Sequence, residues 1–411
     1  MTPQILFYII IGIIILSFFI DQILDYLNAI HFNDALPIEI SDVYDVQEYQ
    51  TSQQYKTENY KFGLITATLS IVATLAFFFL DGFAYLDTFA RSISDNTILV
   101  SLIFFGCIMF ASDLLGTPFS YYKTFVIEEK FGFNKMSVKT FLIDKLKGWL
   151  MTIVVGGLLL SAVILFYDTT GDLFWLYTWG FVTVFVVFMN LFYTRLIVPL
   201  FNKQTPLEEG SLKSKIETYA NEVGFTLDKI FVIDGSKRST KANAYFSGFG
   251  SEKRVTLYDT LIKDLDEEEI VAVLAHEVGH YKKNHIIINL IASIFTTGFT
   301  LWLLSLFIDN ALLSEALNVS DPSFHIGVVA FGVLYSPISE LTGMFMNYLS
   351  RKFEYQADNY AKSTFGAAPL ISALKKLSKN SLSNLTPHAA YVIAHYSHPS
   401  LLNRFRNLKA N

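Results

Sequence analysis

Residues Val271–Phe307 read VAVLAHEVGHYKKNHIIINLIASIFTTGFTLWLLSLF. The first half places His276 and His280 four residues apart with Glu277 between them. The second half is about 23 mostly apolar residues, enough for one helical crossing of a bilayer. On a helix the two histidines lie about 40° apart around the axis, so both imidazoles reach one ion. Glu277, one residue on, can reach water at that ion without ligating it. This is the H-E-x-x-H arrangement, two metal ligands and a general base within one turn. Helix and metal pattern therefore sit at the mouth of a membrane span.

The whole chain shares the apolar character of that second half. Of its 411 residues, 52% are hydrophobic and 17% charged, where a soluble protein carries about a quarter charged. Mean hydropathy is +0.40, and 38 Phe with 22 Tyr suit a chain crossing bilayer interfaces. The net charge of −6 offers no basic footprint, so no nucleic acid partner is expected. Cys107 is the single cysteine, which excludes an internal disulfide and a CxxC site.

Seven segments approach or reach spanning length: about 5–27, 63–83, 97–115, 149–167, 173–195, 286–308 and 323–347. The first lacks a basic leader and a cleavage site and reads as a retained span. Residues 116–148 hold six lysines, and 196–285 and 348–411 are also basic, whereas 168–172 and 309–322 hold no Lys or Arg. The positive-inside rule puts the three basic segments in the cytoplasm, with the N-terminus outside and the C-terminus inside. The loop 28–62 is acidic, aromatic and extramembrane, with no role evident from its residues. Within 196–285, KIFVID (229–234) and RVTLYDTLI (254–262) read as strands around a Gly-rich bend. A helix then begins near Asp266, where Asp266 and Glu269 can form a capping box.

A catalytic zinc needs a third protein ligand. An extended motif would need Gly at 283 and His at 286, but these are Lys283 and Ile286. His285 misses that register and points about 140° from His280, which reads as a surface or interfacial histidine. A site buried in mid-span would place an LDG-like aspartate downstream, yet FLDGF (79–83) lies upstream. The remaining option is a glutamate on a later helix, and SRKFEYQADNYA supplies Glu354 with Asp358 four residues on. A solvated acidic face paired with Arg351 and Lys352 is the competing reading. Its position after a span, matched to an H-E-x-x-H helix, favours the functional one.

Five blocks then carry a resemblance: HEVGHYKKNH, RKFEYQADNYA, GSKRSTKANAYFSGFG (235–250), PFSYYKTFVIEEKFGFNK (118–135) and HYSHPSLLNRF (395–405). In these blocks and their order the chain resembles the integral-membrane CaaX prenyl proteases of type 1, the a-factor-converting zinc endopeptidases. The resemblance implies one zinc ion held by His276, His280 and Glu354, with Glu277 activating water and passing the proton to the leaving amine. It implies that Asp358 orients a ligand histidine, and that Asn243 and His398 stand near the substrate backbone and the developing oxyanion. Arg404 also matches, to pair with an acid near the site or to bind a substrate carboxylate. Block 118–135 is implied to be structural, closing the membrane chamber.

The expected fold class is an all-α polytopic membrane protein. Seven transmembrane helices form a hollow barrel, joined to a small cytoplasmic α+β zinc metalloprotease unit of gluzincin-like type. The expected organisation is membrane helices 1–5 in 1–195, a catalytic loop unit in 196–285, membrane helices 6–7 in 286–347, and C-terminal helices completing the zinc site in 348–411. The resemblance implies hydrolysis near the C-terminus of prenylated or membrane-associated substrates, with removal of the aaX tripeptide. The expected location is a bacterial plasma membrane or endoplasmic reticulum membrane, catalytic loops and C-terminus on the cytoplasmic side.

Overall fold

The structure, a computed structural model, describes residues 1–225, 229–247 and 254–410. All seven apolar segments are helical. The N-terminal helices are α1 (Pro3–Ala29), α2 (Val46–Phe79), α3 (Gly82–Ile93), α4 (Thr97–Tyr122), α5 (Val138–Met151), α6 (Gly157–Thr170) and α7 (Phe174–Leu196). Six helical stretches are long and apolar enough to cross a membrane, the longest being Val138–Phe201. That stretch turns at Gly171, whose φ of 54° is open to glycine without strain, and α6 packs back on α7. It therefore supplies two legs. Apolar side chains such as Ile153, Leu158 and Val184 are exposed on these helices, a surface suited to lipid rather than water. The inside is polar. Between two later helices, a cavity of about 520 Å³ is lined by Thr296, Thr300, Tyr335 and Ser339.

A short helix α8 (Val198–Phe201) leads into the second unit, which comprises β1 (Gln204–Pro206), α9 (Ser211–Glu222), β2 (Ile230–Ile233), β3 (Ala244–Ser247), β4 (Arg254–Tyr258), α10 (Asp259–Asp264) and α11 (Glu267–Lys282). The four strands form one sheet in the order β1-β2-β4-β3. β2 and β4 are parallel and the other pairs antiparallel. The two expected strands are present, but the second ends at Tyr258, because Asp259–Ile262 turn into helix α10; β1 and β3 add to them, and the Gly-rich bend lies outside the described residues. Asp266 and Glu269 do form a capping box at the start of α11. Behind it Ile270, Val271, Leu274, Ala275 and Val278 bury against Leu257 and Leu261 from the sheet side, Ile216 and Tyr219 of α9, and Leu370 further on. Each large aliphatic side chain buried there contributes about 1.5–3 kcal/mol.

The chain returns to the membrane as α12 (His285–Phe307), passes the short α13 (Ala311–Ala316), and continues as α14 (Phe324–Thr364). α14 has 41 residues, roughly 60 Å at 1.5 Å per residue, about twice the hydrocarbon thickness. It runs unbroken through the expected boundary at 347/348, so the last span and the helix bearing Glu354 are one rod. Near its start His325 is buried, with Nε2 2.7 Å from Asp87 Oδ1 of α3 and Nδ1 3.1 Å from Ser101 Oγ of α4. Helices α15 (Ala367–Asn380), α16 (Ala389–His395) and α17 (Leu401–Lys409) finish the fold.

The first loop has a structural task that its residues alone did not suggest. Ile40, Val43 and Tyr44 pack with Leu385, and Tyr44 donates to the Ser378 carbonyl. Glu39, Asp42 and Glu48 pair with Arg406, Lys375 and Lys379. The acidic loop is thus a strut under the basic C-terminal helices.

α11 and α14 approach most closely at Gly279. A Cβ there would stand 3.0 Å from Ala357 Cα and 3.1 Å from its carbonyl oxygen, backbone atoms that cannot rotate away. Gly279→Ala should push the two helices apart and destabilise the protein by about 1–3 kcal/mol. Thermal unfolding of the purified variant would show this as a lowered Tm.

Candidate metal centre

The α11–α14 contact sets histidines on one helix against carboxylates on the other. His276 Nε2 and His280 Nε2 are 3.1 Å apart. His280 Nε2 is 3.2 Å from Glu354 Oε1, and His276 Nε2 is 3.5 Å from Glu354 Oε2. These three side chains each offer a ligand atom, all within 4.8 Å of one another. His276 and Glu354 are buried. Neither expected surface partner reaches Glu354. Arg351 instead donates to the carbonyls of Val392 and Tyr396, and Lys352 lies over the Tyr348 ring.

Behind each histidine stands a group that fixes its ring. His276 Nδ1 is 2.9 Å from Asp358 Oδ1, and Asp358 is fully buried. An ionised carboxylate only accepts, so Nδ1 carries the proton and Nε2 is left to face His280 and Glu354. Arg404 holds the same aspartate through Nε and Nη2, at 2.9 and 2.5 Å, and places Nη1 3.4 Å from Glu354 Oε2. Of the two expectations for Arg404, pairing with an acid is the one observed.

His285 corrects the sequence reading. It is 2% exposed, stacked on Phe353 with ring centroids 4.2 Å apart. Its Nδ1 lies 3.0 Å from His280 Nδ1, and its Nε2 2.8 Å from Gln356 Oε1. With Gln356 accepting from Nε2–H, His285 Nδ1 accepts from His280, and the His280 Nε2 lone pair also faces inward. The angular argument failed because the helix does not continue. Asn284 adopts the left-handed conformation (φ 59°) between α11 and α12, a common device for ending a helix. The chain is redirected there, and His285 swings back to its neighbour. An Asn after Tyr281, Lys282 and Lys283 and before an apolar run is a stop signal that could have warned of this.

The two carboxylates favour a positive charge between the rings. Burial and the Arg404 charge oppose protonation of His276, yet its contacts with Asp358 and Glu354 outweigh them and push its pKa up to about 9. A centre so balanced holds a proton or a metal cation.

Around these groups lies a cavity of about 540 Å³ whose walls include Asn243, Glu277 and His398. Glu277 makes no hydrogen bond or ion pair among the described residues. Asn243 immediately precedes β3, the sheet's edge strand, and its Oδ1 accepts from Ala244 N at 2.9 Å, which leaves the amide NH₂ available. His398 is exposed, with Nε2 3.4 Å from Glu354 Oε1 and Nδ1 2.9 Å from Ser397 Oγ. Six of the seven expected site residues therefore line one cavity, and the seventh, Asp358, is buried behind His276. Block 118–135 contributes no side chain to its walls. It braces the segment before Asn243: Glu128 binds Tyr55 and Lys241, and Phe133 O accepts from Thr240 N.

Arg404→Lys should not substitute for Arg404, because one ammonium cannot reproduce the paired contacts to Asp358 while also lying beside Glu354. Arg404→Ala should cost about 3–5 kcal/mol by leaving buried carboxylates without their counterion. Denaturant titration of both variants would check this, with Arg404→Lys expected to fall between wild type and Arg404→Ala.

Comparison with known proteins agrees with this geometry. The CAAX prenyl protease N-terminal family, described by five membrane helices, matches residues 25–203, and peptidase family M48 matches residues 206–411. A CAAX prenyl protease 1 homolog from Oryza sativa subsp. japonica is 36% identical, covering 91% of this chain and 90% of that protein. CAAX prenyl protease 1 of Saccharomyces cerevisiae is 35% identical, covering 97% and 94%. The crystal structure of S. mikatae Ste24p superposes with a TM-score of 0.94 at 34% identity, covering 98% of this chain and 99% of the other. The chain is thus a multi-pass membrane metalloprotease, and it belongs to the CAAX prenyl protease branch of peptidase family M48.

Proposed function

We propose that the chain is a zinc endopeptidase that cleaves prenylated or membrane-associated substrates near their C-terminus and releases the aaX tripeptide from a prenylated cysteine. The observation that carries this reading is the convergence of His276, His280 and Glu354 beside an unpaired Glu277 in one cavity. The donor set fits zinc. Two imidazole nitrogens and a carboxylate are ligands zinc takes; the two Nε2 atoms stand 3.1 Å apart, and Glu354 turns one oxygen toward each, at 3.2 and 3.5 Å. Glu354 Oε2 is buried without a hydrogen-bond partner among the described residues, with His276 Nε2 at 3.5 Å and Arg404 Nη1 at 3.4 Å, which leaves it a lone pair for a ligand bond.

When bound, zinc supplies Lewis acidity that polarises the scissile carbonyl and acidifies the attacking water. The chain's own groups do the rest. An extended peptide pairs with the edge strand β3, whose outer backbone groups have no strand partner among the described residues. Glu277 accepts the proton from water and delivers it to the leaving amine. The Asn243 amide and His398 Nε2 donate to the carbonyl oxygen as its charge develops. Asp358 and His285 keep both ligand rings in the tautomer that presents Nε2 inward. The positive-inside rule supports a cytoplasmic centre, where a lipidated C-terminus can enter while its lipid stays in the bilayer.

Glu277→Gln should retain stoichiometric zinc and lose at least about 100-fold in turnover, whereas His280→Ala and Glu354→Ala should lose the metal as well. Metal content paired with cleavage of a farnesylated CaaX peptide would decide the roles. Normal turnover by Glu277→Gln, or a purified wild-type chain without zinc, would overturn them. An unprenylated twin peptide and a chelator complete the test. Equal cleavage of both peptides would shift the substrate class from prenylated to membrane-associated chains generally.

Zinc binding should also be linked to pH. His276 holds a proton up to about 9 in the metal-free protein, and zinc needs the same nitrogen, so uptake at pH 7 releases that proton. Apparent affinity should rise with pH and level off above about 9. Titration calorimetry of chelator-stripped protein in two buffers of different ionisation enthalpy would measure the release.

A further inference from the structure

The catalytic cavity has two kinds of neighbour. On the α12 side it shares Ile286 and Asn289 with a cavity of about 730 Å³ that reaches Val186 and Met189 of α7, within the apolar helices. On the α15 side it shares Ser378, Ser381, Ser383 and His398 with another cavity, of about 530 Å³, away from the spans. Lys56 of α2 lines this second cavity.

Lys56 is unusual. It is 8% exposed, and its Nζ is buried without a hydrogen-bond partner among the described residues. No carboxylate there lies within ion-pair distance of it. Only the rings of Phe32 and Tyr49, with centroids 5.6 and 5.5 Å away, offer its charge any compensation. An ammonium held in this way is costly unless an anion visits it. Its position is not accidental: Ser52, one turn earlier on α2, donates to the Leu382 carbonyl and fixes the helix against the cavity's serine-rich wall.

We infer that Lys56 and this second cavity form the subsite that receives the free α-carboxylate of the substrate's last residue. The inference rests on the proposed protease reading and deepens it. A substrate whose lipidated cysteine stays on the membrane side must send the residues beyond the cut to the other side of the catalytic groups. Three extended residues span about 10 Å, and the chain end they carry is a single negative charge. Among the described residues lining the cavity, Lys56 is the one lysine or arginine, and the serine hydroxyls and the Asn384 amide of the same walls are hydrogen-bond donors for carboxylate oxygens. An ammonium at one end and the metal centre at the other would hold the residues between them in a single register.

The test uses the zinc-loaded full chain in detergent and two farnesylated peptides of one sequence, one ending in a free carboxylate and one in a carboxamide. Wild type should prefer the acid by roughly 10- to 100-fold in kcat/KM, carried mainly by KM, as expected for a charge-assisted contact. Lys56→Met, close to lysine in shape, should reduce the acid to the level of the amide and leave the amide unchanged. Lys56→Arg should restore part of the preference. Equal use of both peptides by wild type overturns the proposal whether or not the variants fold, and so does an equal loss on both peptides in Lys56→Met. Wild type that cleaves the amide as well as the acid leaves the protease reading intact, whereas wild type that cleaves neither removes both.

Discussion

The site depends on one close contact between two helices. At Gly279 the backbone of α14 lies within van der Waals reach of the place a Cβ would occupy. That approach brings His276 and His280 onto Glu354 and Asp358. A side chain at this point would have to push α14 away and loosen that fit. The contact also buries two carboxylates and one guanidinium, whose desolvation must be offset by near-complete pairing. Arg404 supplies that pairing from a third helix, so the last helix of the chain is part of the centre rather than an appendage.

The centre was legible in the sequence because its chemistry dictates residue type and spacing together. His276 and His280 needed only the helical repeat, and Glu354 with Asp358 obeyed the same four-residue rule on a second helix. What failed was extrapolation of helical phase through a break. His285 was assigned a direction as though α11 continued, and Asn284 made that direction meaningless. The strut formed by the first loop was hidden for another reason. Glu39, Asp42 and Glu48 find their cations more than 300 positions away along the chain, and no local pattern reports a pairing of that range. The spans were easier, since lipid imposes the same requirement on every one of them.

Polar cavities inside an apolar shell let the protein act at a boundary between solvents. Hydrolysis needs water, and the lipid of a lipidated substrate avoids it. Asn289 lines the catalytic cavity and both membrane-side cavities, so the three adjoin at that residue. The hydroxyl groups of Thr296, Thr300 and Ser339 keep that space wettable while the outer faces of the same helices remain apolar.

The unbroken length of α14 has a mechanical consequence. His325, clamped by Asp87 and Ser101, and Glu354 stand 29 residues apart on one helix, about 43 Å at 1.5 Å per residue, with Pro337 between them as a point of bending. A tilt of only one degree about the clamped end would carry the carboxylate by roughly 0.7 Å, more than the about 0.5 Å within which a catalytic constellation must be held. Bilayers differ in thickness and lateral pressure, and a long rod converts such differences into displacement at its far end. His325 with Asp87 and Ser101 near one end of α14, and Asp358 with Arg404 near the other, therefore fix the helix at two points, and the bond-breaking geometry depends on both.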